Sequence, residues 1–357
     1  MRQFLGIVLF IIVGLITAIS IGFSSLIPSL PYPYDDEQDG LGEEIVIRFS
    51  FVVAENTPKG LAAQRFAQLV KEKTGGRVKV ELFPNSILYN DHDEVKALKN
   101  GDVQIIAPSF SVISEEVSDW MVMDIPFAFA NLEAVEEAFN GEIGAILFKK
   151  LEDKNMVGMA YWSNGFKQMT SNKGPLLRPA DFKGLRFRIL PSRVIAAQFA
   201  ILGAQTESIL FNQVYRSMES GIVDGGENTI SNIYSKKFYQ VQKYMTLSNH
   251  GYLGYGVLMN KTFWDGLPYD LKALVQEAMD EASVWANQIA IEINQKQLEE
   301  LRASHLIQID ELTFEQKKDW MSTLNGVFSE IESIIDPDLI QSIKELQHKY
   351  ASLPPEN

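Results

Sequence analysis

The segment KGLRFRIL (residues 183–190) sets Arg186 and Arg188 two positions apart in an apolar, β-rich run. In a strand, both cations leave one face while Leu185, Phe187 and Ile189 leave the other. A guanidinium at the edge of an apolar layer can meet both oxygens of a carboxylate with its planar fork of N–H groups, a geometry that lysine lacks. Further polar side chains interrupt apolar runs elsewhere: Asn164 and Lys167 in YWSNGFKQMTSNK, and Asn228 in VDGGEN. Polar groups placed in this way between apolar strands could be held for a ligand. A strand arginine is also commonly paired to a structural acid, so residue type and position leave both uses open.

Other chemistries find less support. The chain has no cysteine, which removes thiolate catalysis, disulfides and thiolate metal sites. Its four histidines, His92, His250, His305 and His348, lack the spacing of a zinc site on a helix. The acidic run Asp91-His92-Asp93-Glu94 reads as a helix start, where acids cap the first turn and meet the positive end of the helix dipole. VDGGEN is glycine-rich but has neither spacing that lets backbone amides cradle phosphate. No local serine–histidine–acid grouping points to an enzyme, and no metal or cofactor is expected. The net charge of −14 and the lack of a basic stripe argue against nucleic acid as a partner.

The elements that must position these groups follow an α/β pattern. Residues 45–53 (IVIRFSFVV) form a β-rich run, and the next segment spaces Ala62, Phe66, Leu69 and Val70 along one helical face before Gly75-Gly76 stops it. Val78, Val80 and Leu82 then alternate as in a strand, which completes a βαβ unit. A second unit follows with the helix NDHDEVKALKNG and a strand over 103–107. NLEAVEEAFNGEIGAILFKKL reads as helix, and residues 157–162 and 185–190 as strands. From Pro268 to His305, Leu271, Leu274, Ala278, Ala282, Trp285, Ile289 and Ile293 recur at helical spacing. At about 1.5 Å per residue such a helix runs roughly 50 Å, long enough to bridge two domains. No internal repeat stands out.

At the amino terminus, the uncharged run from Phe4 to Phe23 is long enough to cross a bilayer, and Arg2 before it favours a cytoplasmic amino terminus. Residues 1–23 are expected to act as a membrane anchor or a signal segment, and residues 24–44, acidic and rich in proline, as a tether. Everything beyond would lie outside the cytoplasm.

Four stretches carry a family resemblance: FVVAENTPKGLAAQRFAQLVKEKTGG, YWSNGFKQMTSNKGPLLRPADFKGLRFRI, the run from FNQVYRSMESGIVDGGEN to NHGYLGYGVLMNKTFW, and LPYDLKALVQEA. Residues 45 to about 345 resemble the DctP-type solute-binding proteins of TRAP (tripartite ATP-independent) transporters, and YW-NGFKQMT-NK with NHGYLGY is most similar to the C4-dicarboxylate branch. The resemblance implies a two-lobed periplasmic-binding-protein-like fold with a cleft between lobes and a shared long helix. It puts residues 45–164 plus about 254–290 in the first lobe, 165–253 in the second, and helices of 291–357 around both. It implies capture of malate, succinate or fumarate without catalysis, for delivery to TRAP membrane subunits or, as a tethered co-receptor, to a membrane sensor. By the same resemblance Arg188 grips one carboxylate and Arg186 is a rim or structural cation. Lys167 would hold the far carboxylate, Asn228 would donate its amide, and Phe211 would wall the carbon chain. Asn164, Ser109 and Tyr252 would also face the cleft. Three departures from the branch pattern are Phe51, Gln213 and Gly226, where histidine, an acid and a larger polar residue are usual.

Overall fold

The computed structural model of the chain describes residues 12–14 and 44–351. The expected membrane segment and tether lie outside the described residues apart from those few positions. No helix among the described residues is long and apolar enough to cross a membrane.

The body that begins at Ile45 is built on one nine-stranded sheet. Its first part contains β1 (Ile45–Ser50), β2 (Val78–Phe83) and β3 (Ile105–Ile106), connected through the helices Pro58–Lys73 and Glu94–Asn100. Both neighbours of β1 run parallel to it, an arrangement that needs crossover connections such as these helices. Thr57 caps the first helix by accepting from the Gly60 amide, and Pro58 occupies its first turn, where a missing N–H costs nothing. Ala62, Ala63, Phe66, Leu69 and Val70 are buried against the sheet.

The same construction recurs further along the chain. After the long strand β4 (Met156–Ser171) come β5 (Arg186–Ile189), β6 (Gln205–Ser208) and β7 (Gly225–Thr229), linked by the helices Arg193–Ile201 and Val214–Glu219. Here β5 pairs in parallel with both β6 and β7. A second long strand, β8 (Tyr244–Asn260), follows, and β9 (Gln308–Glu311) adds to its edge. The sheet order β2-β1-β3-β8-β4-β7-β5-β6 is thus nearly symmetrical about the β8–β4 pair. No repeat was legible in the sequence because the two halves share strand order, not residues.

This symmetry makes the fold two-lobed: each half is a parallel three-stranded unit, and the antiparallel strands β4 and β8 run through both. Neither long strand is straight. Their register slips between Gly158 and Ala160, between Ser163 and Gly165, and between Lys167 and Met169, as bulges do where a strand bends. Short strand runs in the sequence underestimated β4, because the polar stretch from Ser163 to Lys167 interrupts its apolar pattern.

The long helix Tyr269–Ser304 has 36 residues, close to the span expected from spacing. Its buried stripe is Leu271, Val275, Ala278, Met279, Ala282, Ala286 and Ala290, whereas Trp285 is exposed. The apolar face is rotated from the expected one because alanines, not the larger residues, let the helix lie close to β4. Hydrogen bonds stitch it there: Trp162 Nε1 donates to Ser283 Oγ (2.8 Å), the Ser163 amide to Asn287 Oδ1 (2.8 Å), and Asn294 Nδ2 to the Asn164 carbonyl (2.7 Å). At its amino-terminal end Lys73 pairs with Glu277. Near its carboxy-terminal end Asn294 Oδ1 accepts from the Ser231 amide of the second half. One rigid rod therefore braces both lobes.

Gly165 lies at a register slip with φ +128°, and a Cβ there would stand 3.1 Å from Asn294 Nδ2. Gly165→Ala is expected to lower the unfolding free energy by about 1–3 kcal/mol, the usual cost of a strained backbone, measured by chemical denaturation. An unchanged midpoint would contradict a structural need for glycine at this crossing.

Candidate anion-binding cleft

In open parallel sheets, ligands bind beyond the carboxyl ends of the strands, where topology reverses. This sheet has two such edges facing one another, and a cavity lies there. Val52 and Val53 follow β1, Asp91 and Glu94 follow β2, and Ser109 follows β3. From the second lobe come Arg188 at the end of β5, Phe211 after β6, and Asn228 at the end of β7. Leu253 and Tyr255 enter from the middle of β8.

Arg188 is 2% exposed. Its Nε donates to the Ile209 carbonyl at 2.9 Å, which fixes the plane of the guanidinium, while Nη2 has no partner among the described residues. Burial lowers its pKa to about 10, against the pull of Asp91 and Glu227, so it remains a cation at neutral pH. Opposite it in the β5–β7 pair is Gly226. A Cβ at Gly226 would already stand 3.0 Å from Met218 Cε and 3.4 Å from the Arg188 carbonyl, so the departure to glycine relieves crowding beside the arginine.

Asn228 Oδ1 accepts from Asn232 Nδ2 (2.8 Å) and the Thr229 amide (3.0 Å). With the oxygen engaged, the donor end of the amide is the one left for a ligand. The amide of Phe211 donates to Asp91 Oδ2 at 3.2 Å, which ties the aromatic wall in the second lobe to the first. Ser109 precedes the short helix Phe110–Ile113 as its N-cap, and its buried Oγ has no partner among the described residues.

Three expected cleft residues are placed elsewhere. Lys167 does not line the cavity; its ammonium is paired with Glu227 in a buried cluster. Glu227 also accepts from Gln198 Nε2 (2.9 Å) and from His250 Nε2 (2.8 Å), and His250 Nδ1 shares a 2.7 Å hydrogen bond with Ser248 Oγ. Burial alone would push Glu227 up, but the Lys167 cation and the His250 hydrogen bond outweigh it and hold the carboxylate below its ordinary range. An internal counter-charge one residue before Asn228 thus occupies the lysine. Asn164 is similarly engaged, donating to Thr229 Oγ1 (2.7 Å) and accepting from Ser231 Oγ (3.2 Å). Tyr252 packs edge-on against Phe129, Phe139 and Phe166, on the face of β8 opposite to Leu253 and Tyr255. Arg186 is exposed and donates to the Gly221 carbonyl at 2.9 Å, a structural role.

The cation that does enter the cavity from the first lobe is Lys59, 1% exposed. Its Nζ donates to the Ala107 carbonyl at 2.7 Å and stands 3.8 Å from the centre of the Tyr255 ring. Burial lowers its pKa to about 8, partly offset by Glu94 and Asp91. Lys59 follows Pro58 in the first turn of its helix, where the dipole disfavours a cation. That mismatch was the available signal in the sequence. Asp91 and Glu94 were read only as part of a helix start, where acids are favoured, and Asn232 was missed because its helix of six residues was not read.

A two-lobed α/β receptor with a desolvated arginine in its cleft belongs to the class of extracytoplasmic binding proteins. Residues 49–333 match the family model DctP, described as bacterial extracellular solute-binding protein, family 7, and the chain belongs to that family. It is 46% identical over 347 residues to the C4-dicarboxylate-binding protein DctB of Bacillus subtilis (strain 168), covering 97% of this chain and 99% of that one. A TRAP periplasmic solute-binding protein from Shewanella oneidensis, solved with bound succinate, superposes with a TM-score of 0.83 at 39% identity, over 85% of this chain and 99% of that chain. A TRAP periplasmic solute-binding protein from Pseudomonas aeruginosa, solved with bound L-malate, gives a TM-score of 0.78 at 37% identity, over 80% and 99% of the two chains.

Lys167→Met is expected to strand Glu227 without its cation and to lower the unfolding free energy by about 3–5 kcal/mol, as breaking a buried pair does. A urea midpoint equal to that of the parent protein would contradict the structural placement of this lysine.

Proposed function

We propose that this chain captures a C4 dicarboxylate outside the cytoplasm and hands it to the membrane subunits of a TRAP transporter. The observation that carries the reading is the buried Arg188, with Nε anchored to Ile209 and Nη2 unpartnered among the described residues beside the cavity. Arg188 holds one carboxylate of the ligand, the Asn228 amide supports the same end, and Phe211 lines the carbon chain. Lys59 takes the role that family resemblance gave to Lys167, meeting the far carboxylate. The bound ligands of the structural relatives and the name of the Bacillus subtilis relative support the choice of ligand class.

Because Arg188 and Lys59 come from different lobes, a dianion between them favours whichever arrangement brings both cations to it. Only contacts made better in the closed state can shift the population toward closure. Charge-assisted hydrogen bonds contribute about 1.5–3 kcal/mol each. Three or four of them, less the ordering cost, fit an affinity near the micromolar range, about −8 kcal/mol. The apolar run from Phe4 to Phe23 supports tethering at the outer face of the membrane. Co-purification of the full-length chain with TRAP subunits tests the partner, and capture of a sensor protein instead would favour a co-receptor role.

Titration calorimetry with succinate and malate tests the site. Arg188→Ala is expected to lose about 3–5 kcal/mol of binding, and Arg188→Lys to restore only part of it. Unchanged affinity in Arg188→Ala would refute the assignment. Lys59→Met is expected to weaken dicarboxylates far more than a monocarboxylate such as lactate, and equal losses for the two classes would count against Lys59 as the distal contact.

A further inference from the structure

Glu94 is a cavity residue to which anion capture assigns no part. It opens the helix Glu94–Asn100, is 0% exposed, lines the cavity, and has no hydrogen-bond partner at either carboxyl oxygen among the described residues. Its place in the first turn accounts for an acid there, but not for complete burial without donors. An ionised carboxylate in that state is expensive, and proteins commonly relieve the cost by protonation.

The charged and titratable groups facing it are Lys59 from the helix Pro58–Lys73, Asp91 from its own segment, and Tyr255 from β8, with Arg188 in the same cavity. Lys59 directs its hydrogen bond to the Ala107 carbonyl rather than to Glu94. Ser109 Oγ is another buried group in the same cavity without a partner among the described residues. Burial pushes Glu94 up to about 8, with Lys59 opposing the shift and Asp91 adding to it. Lys59, lowered to about 8, titrates in the same range, so the two behave as a coupled pair. A dianion entering beside Asp91 and Glu94 raises the cost of a further negative charge and stabilises the state that holds one more proton.

We propose that Glu94 is a ligand-facing carboxylic acid that takes up a proton as the dicarboxylate binds and donates it in a hydrogen bond to the carboxylate end served by Lys59. The inference rests on the diacid reading of the cavity. The proton comes from solvent and resides on a Glu94 Oε, and no bond of the ligand is made or broken. The complex then holds a proton at a higher pH than the free receptor does. Affinity is therefore fully present below about pH 8 and falls as pH rises from there, by at most tenfold per pH unit for one proton.

Calorimetry of the full-length chain in detergent, titrated with succinate in buffers of different ionisation enthalpy, counts the protons taken up. At pH 8 the wild type is expected to take up at least about half a proton per ligand, and at pH 6 close to none, because the group is then already protonated. Glu94→Gln keeps an N–H donor but cannot titrate, and its uptake at pH 8 is expected to fall by about half a proton. Uptake unchanged in Glu94→Gln would assign the proton to another group and overturn the inference. Wild-type binding with no uptake at pH 8 would overturn it while leaving the diacid reading intact, whereas no binding heat with any C4 diacid would fail that reading itself.

Discussion

A guanidinium withheld from water is the constraint on which the rest of the site depends. Burial costs Arg188 much of its hydration, and among the described residues only the Ile209 carbonyl returns a hydrogen bond, to Nε. Asp91 and Glu227 act at longer range and keep the group charged. An oppositely charged ligand in the cavity would return to the guanidinium what burial takes from it. On the proposed reading, the best partner of this cation is not part of its own chain.

Keeping such a group in place requires a stiff frame. The β4–β8 pair runs through both lobes, its register slips beside the cleft, and the long helix is stitched to Trp162, Ser163 and Asn164 across that region. Behind the cavity, the buried cluster of Lys167, Glu227, His250 and Gln198 fixes β7 against β4 and β8. Burial lowers the pKa of His250, so at neutral pH its neutral ring donates to Glu227 while Lys167 supplies the counter-charge. The cluster thereby fixes the register of β7 at Asn228, on the cavity wall.

Much of this architecture was legible in the sequence. The first βαβ units, the 36-residue helix and Arg188 in its strand all followed from periodicity and from the fixed geometry of strands and helices. Arg188, Asn228, Phe211 and Ser109 do meet at one cavity. The expected residues that sit elsewhere share a physical cause. Lys167, Asn164 and Tyr252 have the residue types of a polar cleft, but their partners, Glu227, Thr229 with Ser231, and an aromatic cluster, come from distant segments that no spacing rule brings together. Conversely, Glu94 satisfied a local rule for helix starts so well that its burial in the cavity left no trace in the sequence. Lys59 broke such a rule, and the exception marked a cavity-lining cation.

The most direct test of the central claim is a crystal structure of the chain grown with succinate. The account predicts one carboxylate within hydrogen-bonding distance of Arg188 Nη2 and the other at Lys59 Nζ, with both lobes in contact with the diacid. Density for the anion elsewhere, or Arg188 turned onto Asp91 with the diacid absent from the cavity, would contradict it.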